Sequence, residues 1–147
     1  MDKAERARNM ELLREGTAAY NRGDLSFVLQ RAGDDIEVHA HRGLVNAGTY
    51  HGREAFEDWM RNWLDAWREI TLEVRGVELI GDSFLLVDAW QRGIGQASGI
   101  PVEMEITQLI EVRDAEIKRF HLYPNRELAQ EALERLREDA QAREAAK

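Results

Sequence analysis

The chain has 147 residues, of which 33% are charged and 44% hydrophobic, with no cysteine and a formal net charge of −8. This length suits one domain around a single core, large enough to leave room for a pocket. The acidic balance excludes nucleic-acid binding through phosphate neutralisation, which needs a concentrated basic surface. No apolar run approaches the thickness of a bilayer, so no membrane partner is expected. The opening MDKAERARNMELLRE has no apolar segment behind its charges, so a soluble, cytoplasmic protein is expected. Without cysteine, thiol chemistry is excluded.

Ala7, Met10, Leu13, Thr17 and Tyr20 recur at intervals of three and four, which marks one face of a first helix ending at Asn21-Arg22-Gly23. Asp24 caps a short second helix whose Leu25, Val28 and Leu29 turn inward and which Gly33 closes. Residues 35–41 alternate, with Ile36, Val38 and Ala40 against Glu37, His39 and His41, as a half-buried strand does. Residues 42–52 are rich in turn formers and read as a loop. A third helix is predicted from about Arg53 to Glu69, and its Trp59, Trp63 and Trp67, three of the four tryptophans, form one aromatic ridge.

From Ile70 the period changes to two. The apolar face passes from Ile70, Leu72 and Val74 to Val77 and Leu79 across Gly76, the mark of a bulge that bends a long strand. Turns at Gly81-Asp82-Ser83, GQASG and Arg113-Asp114-Ala115 separate four strands of an antiparallel meander, and Pro124-Asn125 hands over to a charged C-terminal helix. The predicted class is α+β: a cone-shaped, curved antiparallel sheet packed on three N-terminal-half helices, with a C-terminal helix and a cavity between the layers.

Several polar residues stand on otherwise apolar faces. Gln108 sits among Met104, Ile106, Ile110 and Val112, where a buried amide must find a hydrogen-bond partner in protein, water or ligand. In the preceding strand Phe84, Leu86, Asp88, Trp90 and Arg92 share one side, while Leu85, Val87, Ala89 and Gln91 share the other. Alternation does not say which side meets the cavity. If the first does, Asp88 is a candidate acid/base group beside Trp90 and Arg92; if the second does, Asp88 and Arg92 are an exposed ion pair. Tyr20, on the core side of the first helix, and Tyr50, in a loop placed to cover the mouth, are candidate ligand contacts, as are Trp59 and Trp63. His39 and His41 leave one strand face together, but no third ligand is fixed by spacing, so no metal site is expected. GIGQASG joins two strands with no helix after it and reads as a hairpin, not a phosphate loop.

The segments AAYNRGDLSFVL, AGDDIEVHA, AGTYHGREAFEDWM, QRGIGQASGIPVEMEITQLIEVRDAEI and HLYPNRELAQEAL resemble the SnoaL-like branch of the nuclear transport factor 2-like superfamily. The resemblance covers residues 7–135 and leaves 136–147 as a charged helical tail. It implies a cone-shaped ligand pocket, no cofactor and a homodimer through the sheet, and its register favours the Asp88 side of the strand as the cavity face. It also implies that familiar catalysts are missing: Gly16 stands where ketosteroid isomerases have a tyrosine, Ala40 where they have a general-base aspartate, and Gln108 where they have a second oxyanion donor. Leu122 stands where epoxide hydrolases and polyketide cyclases have an aspartate. The functional expectation is a protein that binds an apolar small molecule of polyketide or steroid type, either a cyclase, isomerase or hydratase using Asp88, or a non-catalytic carrier. A dimerisation module with a filled cone is the further alternative.

Overall fold

Asp2 accepts a hydrogen bond from the Glu5 backbone N–H at 2.8 Å and so caps α1, Lys3–Asn21. The computed structural model describes residues 2–44 and 46–146. Gly23, with φ +76°, takes the left-handed turn that ends α1. Asp24 Oδ1 then accepts from the Ser26 N–H at 2.9 Å, and α2 spans Ser26–Arg31. Gly33, expected to close that helix, already belongs to β1, Ala32–Ala40.

Segment 42–52 is not all loop. Gly48–His51 forms β2, an edge strand antiparallel to β1. The short α3, Arg53–Asp65, ends four residues earlier than its sequence periodicity suggests, because Trp67 pairs with Gly95 and opens β3, Trp67–Ile80. Cross-strand pairing takes Trp67 out of the helix while its ring stays against Trp63, centroids 5.6 Å apart. β3 shifts register between Val74 and Gly76, which is the bulge read from the sequence. β4 (Phe84–Gly95), β5 (Pro101–Arg113) and β6 (Glu116–Tyr123) complete the meander, and α4 spans Arg126–Ala145.

The sheet order is β2-β1-β6-β5-β4-β3. β1 runs parallel to β6, so this curved sheet is mixed where an all-antiparallel one was expected. Helices α1 to α3 cover its inner face, and Phe56, Ile36, Val38, Leu85 and Ile106 form a core there, each at most 2% exposed. α4 lies on the opposite face, where its Ala129, Ala132 and Leu133 seal Leu86, Leu109 and Tyr123. No helix among the described residues is long and apolar enough to cross a membrane.

Candidate functional site

Between the helices and the inner sheet face lies a cavity of about 90 Å³. α1 lines it through successive turns with Asn9, Leu12, Leu13, Gly16, Thr17 and Tyr20. The Asn21 side chain pins the C-terminal end of α1 to the sheet: its Oδ1 accepts from Leu72 N at 2.8 Å and its Nδ2 donates to Leu72 O at 3.1 Å. The opposite end of the cavity wall adjoins a larger cleft of about 790 Å³ between α1 and the turns after β3 and β5.

Two of the three clustered indoles have hydrogen-bond partners within the chain. Trp59 and Trp63 stack at 6.3 Å with planes 7° apart, as residues one turn apart on α3. Trp59 Nε1 donates to the Asn46 carbonyl at 3.0 Å, which ties α3 to the loop before β2. Trp63 Nε1 donates to the Tyr20 hydroxyl at 2.9 Å, and that hydroxyl in turn donates to Gln91 Oε1 at 3.0 Å. Burial pushes the Tyr20 phenol well above its ordinary range, with the Trp63 hydrogen bond opposing more weakly, so it stays a neutral donor. With its oxygen engaged by Tyr20, Gln91 keeps a buried amide nitrogen with no hydrogen-bond partner, and the residue as a whole is only 3% exposed. Gln108, 8% exposed, lines the cavity as well. Among the described residues lining it, none carries a carboxylate, imidazole, amine or guanidinium.

The cavity face of β4 is therefore the one holding Leu85 and Gln91, and the register favoured by the resemblance is corrected. Asp88, Trp90 and Arg92 point from the outer face. Asp88 Oδ2 accepts from Arg126 Nη1 of α4 at 2.6 Å, and Arg126 also pairs with Glu78. Arg92 Nε lies 3.0 Å from Glu103 in an exposed pair, and the Arg75 guanidinium sits 4.8 Å from the Trp90 ring centroid. The reason is α4: it buries Leu86 on the outer side, so both faces of β4 needed apolar residues. Tyr50 is not in the cavity wall either; its hydroxyl donates to the Ala47 carbonyl at 3.1 Å and fastens the loop before β2.

Residues 13–120 match the SnoaL-like domain. The chain belongs to this family. No curated protein sequence matches it. Solved structures share the nuclear transport factor 2-like fold at low identity. One, from Burkholderia pseudomallei, superposes with TM-score 0.71 at 19% identity, covering 80% of this chain and 90% of its own. TerC, co-crystallised with polyporic acid, gives 0.70 at 17% identity, covering 86% of this chain and 98% of its own. A SnoaL-like protein from Jannaschia, described as a putative polyketide cyclase, gives 0.69 at 13% identity over 80% of this chain and 85% of its own.

Three positions that the resemblance singled out in this SnoaL-like chain hold apolar residues. Ala40 is buried in the core at 1% exposure, and Leu122 and Gly16 are apolar wall. Sequence reasoning weighed Gln108 and passed over Gln91, although the same signal marks both: one amide on an apolar strand face. What pairing with Tyr20 does to Gln91 was not readable, since the two are 71 residues apart.

The four histidines stand away from the cavity. On the outer face Glu37 accepts from Arg119 Nε at 3.2 Å and from His121 Nε2 at 2.8 Å, and His39 Nδ1 lies 2.8 Å from Thr49 Oγ1. Burial pushes the His121 imidazole down to about 4 despite Glu37 beside it. No group of His, Asp and Glu among the described residues is arranged to hold a metal ion.

Proposed function

We propose that this SnoaL-like protein binds a neutral, largely apolar small molecule and holds an acceptor oxygen of that molecule on Gln91 Nε2. The observation that carries this reading is the buried, unpartnered amide nitrogen of Gln91, a residue that lines a cavity whose walls are mostly hydrocarbon. A donor in that setting leaves a hydrogen bond unmade, which a carbonyl or ether oxygen completes. The co-crystallisation of TerC with polyporic acid supports small-molecule occupancy of this fold.

Proton-transfer catalysis is the weaker reading. A cyclase or isomerase acting by general acid and base needs a group that titrates near neutral pH within reach of the ligand. The cavity instead presents the amides of Asn9, Gln91 and Gln108, the Thr17 hydroxyl and a phenol held protonated, and Asp88 is engaged by Arg126 across the sheet. A binding or carrier role fits these groups. The volume also argues against polycyclic ligands in this conformation, since a cavity of about 150 Å³ is what takes up a single benzene ring. Homodimerisation is a secondary proposal, through the polar part of the outer face beside α4.

Calorimetric titration with 2-hexanone and hexane tests the binding site. The ketone should bind more tightly than the hydrocarbon, and Gln91→Leu should weaken the ketone about tenfold while leaving hexane unaffected. Equal affinities of both probes for the native protein, or no uptake of either, would overturn the reading.

A further inference from the structure

We infer that Gln108 reads a carboxamide group: a neutral ligand pairs its own C=O and N–H with the Nε2 and Oε1 of this side chain in a ring of paired hydrogen bonds. This rests on the binding role proposed above and adds to it a second polar contact and the class of group that fits there. Gln108 stands on β5, with β4 and β6 paired on either side. The ladders on both edges take up the backbone N–H and C=O groups within its reach. Its nearest neighbours on the inner face are Val87 and Leu122 across the strands and Ile106 and Ile110 along its own, all hydrocarbon. Among the described residues the amide therefore finds no hydrogen-bond partner, although the residue is only 8% exposed. Neither its oxygen nor its nitrogen is fully occluded, so both stay open to a molecule in the cavity that it lines.

An amide in this position has both a donor and an acceptor to satisfy, and most small neutral groups meet only one of them. A ketone accepts from Nε2 and leaves Oε1 unmade, while a hydroxyl serves one atom of the pair at a time. A carboxamide carries an acceptor and a donor side by side in one plane, as Gln108 does, so both bonds close together. Charged groups do not suit the role, because among the described residues the lining offers no opposite charge to a desolvated ion. The group is also small: acetamide has about two thirds of the heavy atoms of benzene, which takes about 150 Å³, and the cavity has about 90 Å³. Gln91 lies four residues along β4 from Val87, the residue opposite Gln108, about 14 Å away at the rise of a strand. The two amides are thus separate contacts with separate tests.

The test is NMR titration of the isotope-labelled protein with acetamide and with acetone, which differ only by an amino group in place of a methyl. Gln108→Met keeps the length of the side chain, removes the amide, and identifies its signals in the native spectrum by their loss. Acetamide should shift those signals, and the ratio of acetamide to acetone affinity should fall about fivefold in Gln108→Met, the worth of one net hydrogen bond. Gln108→Leu repeats the measurement should the methionine variant not fold. An unchanged ratio, Gln108 signals that acetamide leaves in place, or no uptake of acetamide where 2-hexanone binds would overturn the inference while leaving the binding role standing. No uptake of any of the three probes by the folded protein would remove the binding role itself.

Discussion

At the residue scale the proposed binding role rests on a single side chain, Gln91. Its oxygen is spent on Tyr20 and its nitrogen is buried, so the amide cannot serve both donor and acceptor ligands; this polarity is why Gln91→Leu should discriminate the ketone from the alkane. His121 supports a prediction of a different kind. Its imidazole, faced by Glu37 and His39 from β1 and by Arg119 and Tyr123 from its own strand, is held by burial at about 4, below the ordinary 6.5. The unfolded chain therefore takes up the proton first. The stability contributed is complete above about pH 6.5 and is lost as pH falls toward 4, in total roughly 3 kcal/mol. Urea midpoints measured between pH 7 and pH 4.5 should fall for the native protein, and His121→Gln should flatten that slope.

Elements differ in how well the sequence declared them. α1, β1 and the β3 bulge were legible because each has one buried face, so hydrophobic period and secondary structure coincide. β4 was not, since Leu86 is buried beneath α4 and Leu85 and Val87 beneath the helices on the inner face, and alternation carries no information when both sides are apolar. The end of α3 was misread for a related reason: Trp67 continues the helical spacing of Trp59 and Trp63 but is held by β-pairing to β4. That junction makes a sharp prediction. A Cβ on Gly93 would lie 2.6 Å from Trp67 Cε3 and 2.9 Å from the Glu69 carbonyl oxygen, and the latter is backbone that cannot swing aside. Gly93→Ala should destabilise the fold by about 1–3 kcal/mol, seen as a lower urea midpoint with an unchanged m-value.

For the whole molecule, α4 determines what the outer face can offer. It covers the apolar patch of Leu86, Leu109 and Tyr123, and the sheet beside it presents ion pairs such as Glu37 with Arg119 and Arg92 with Glu103. A homodimer built on that remainder is electrostatic and should loosen with salt. Sedimentation at low and at high ionic strength should show twice the 16.9 kDa chain mass at low salt, shifting toward the single chain at high salt; a single chain at both rules out the sheet dimer. The clamp between Asn21 and Leu72 has a mechanical consequence as well. From Asn21 to Asn9 α1 is about 18 Å long, so a tilt of about 10° about the clamp carries the Asn9 end roughly 3 Å.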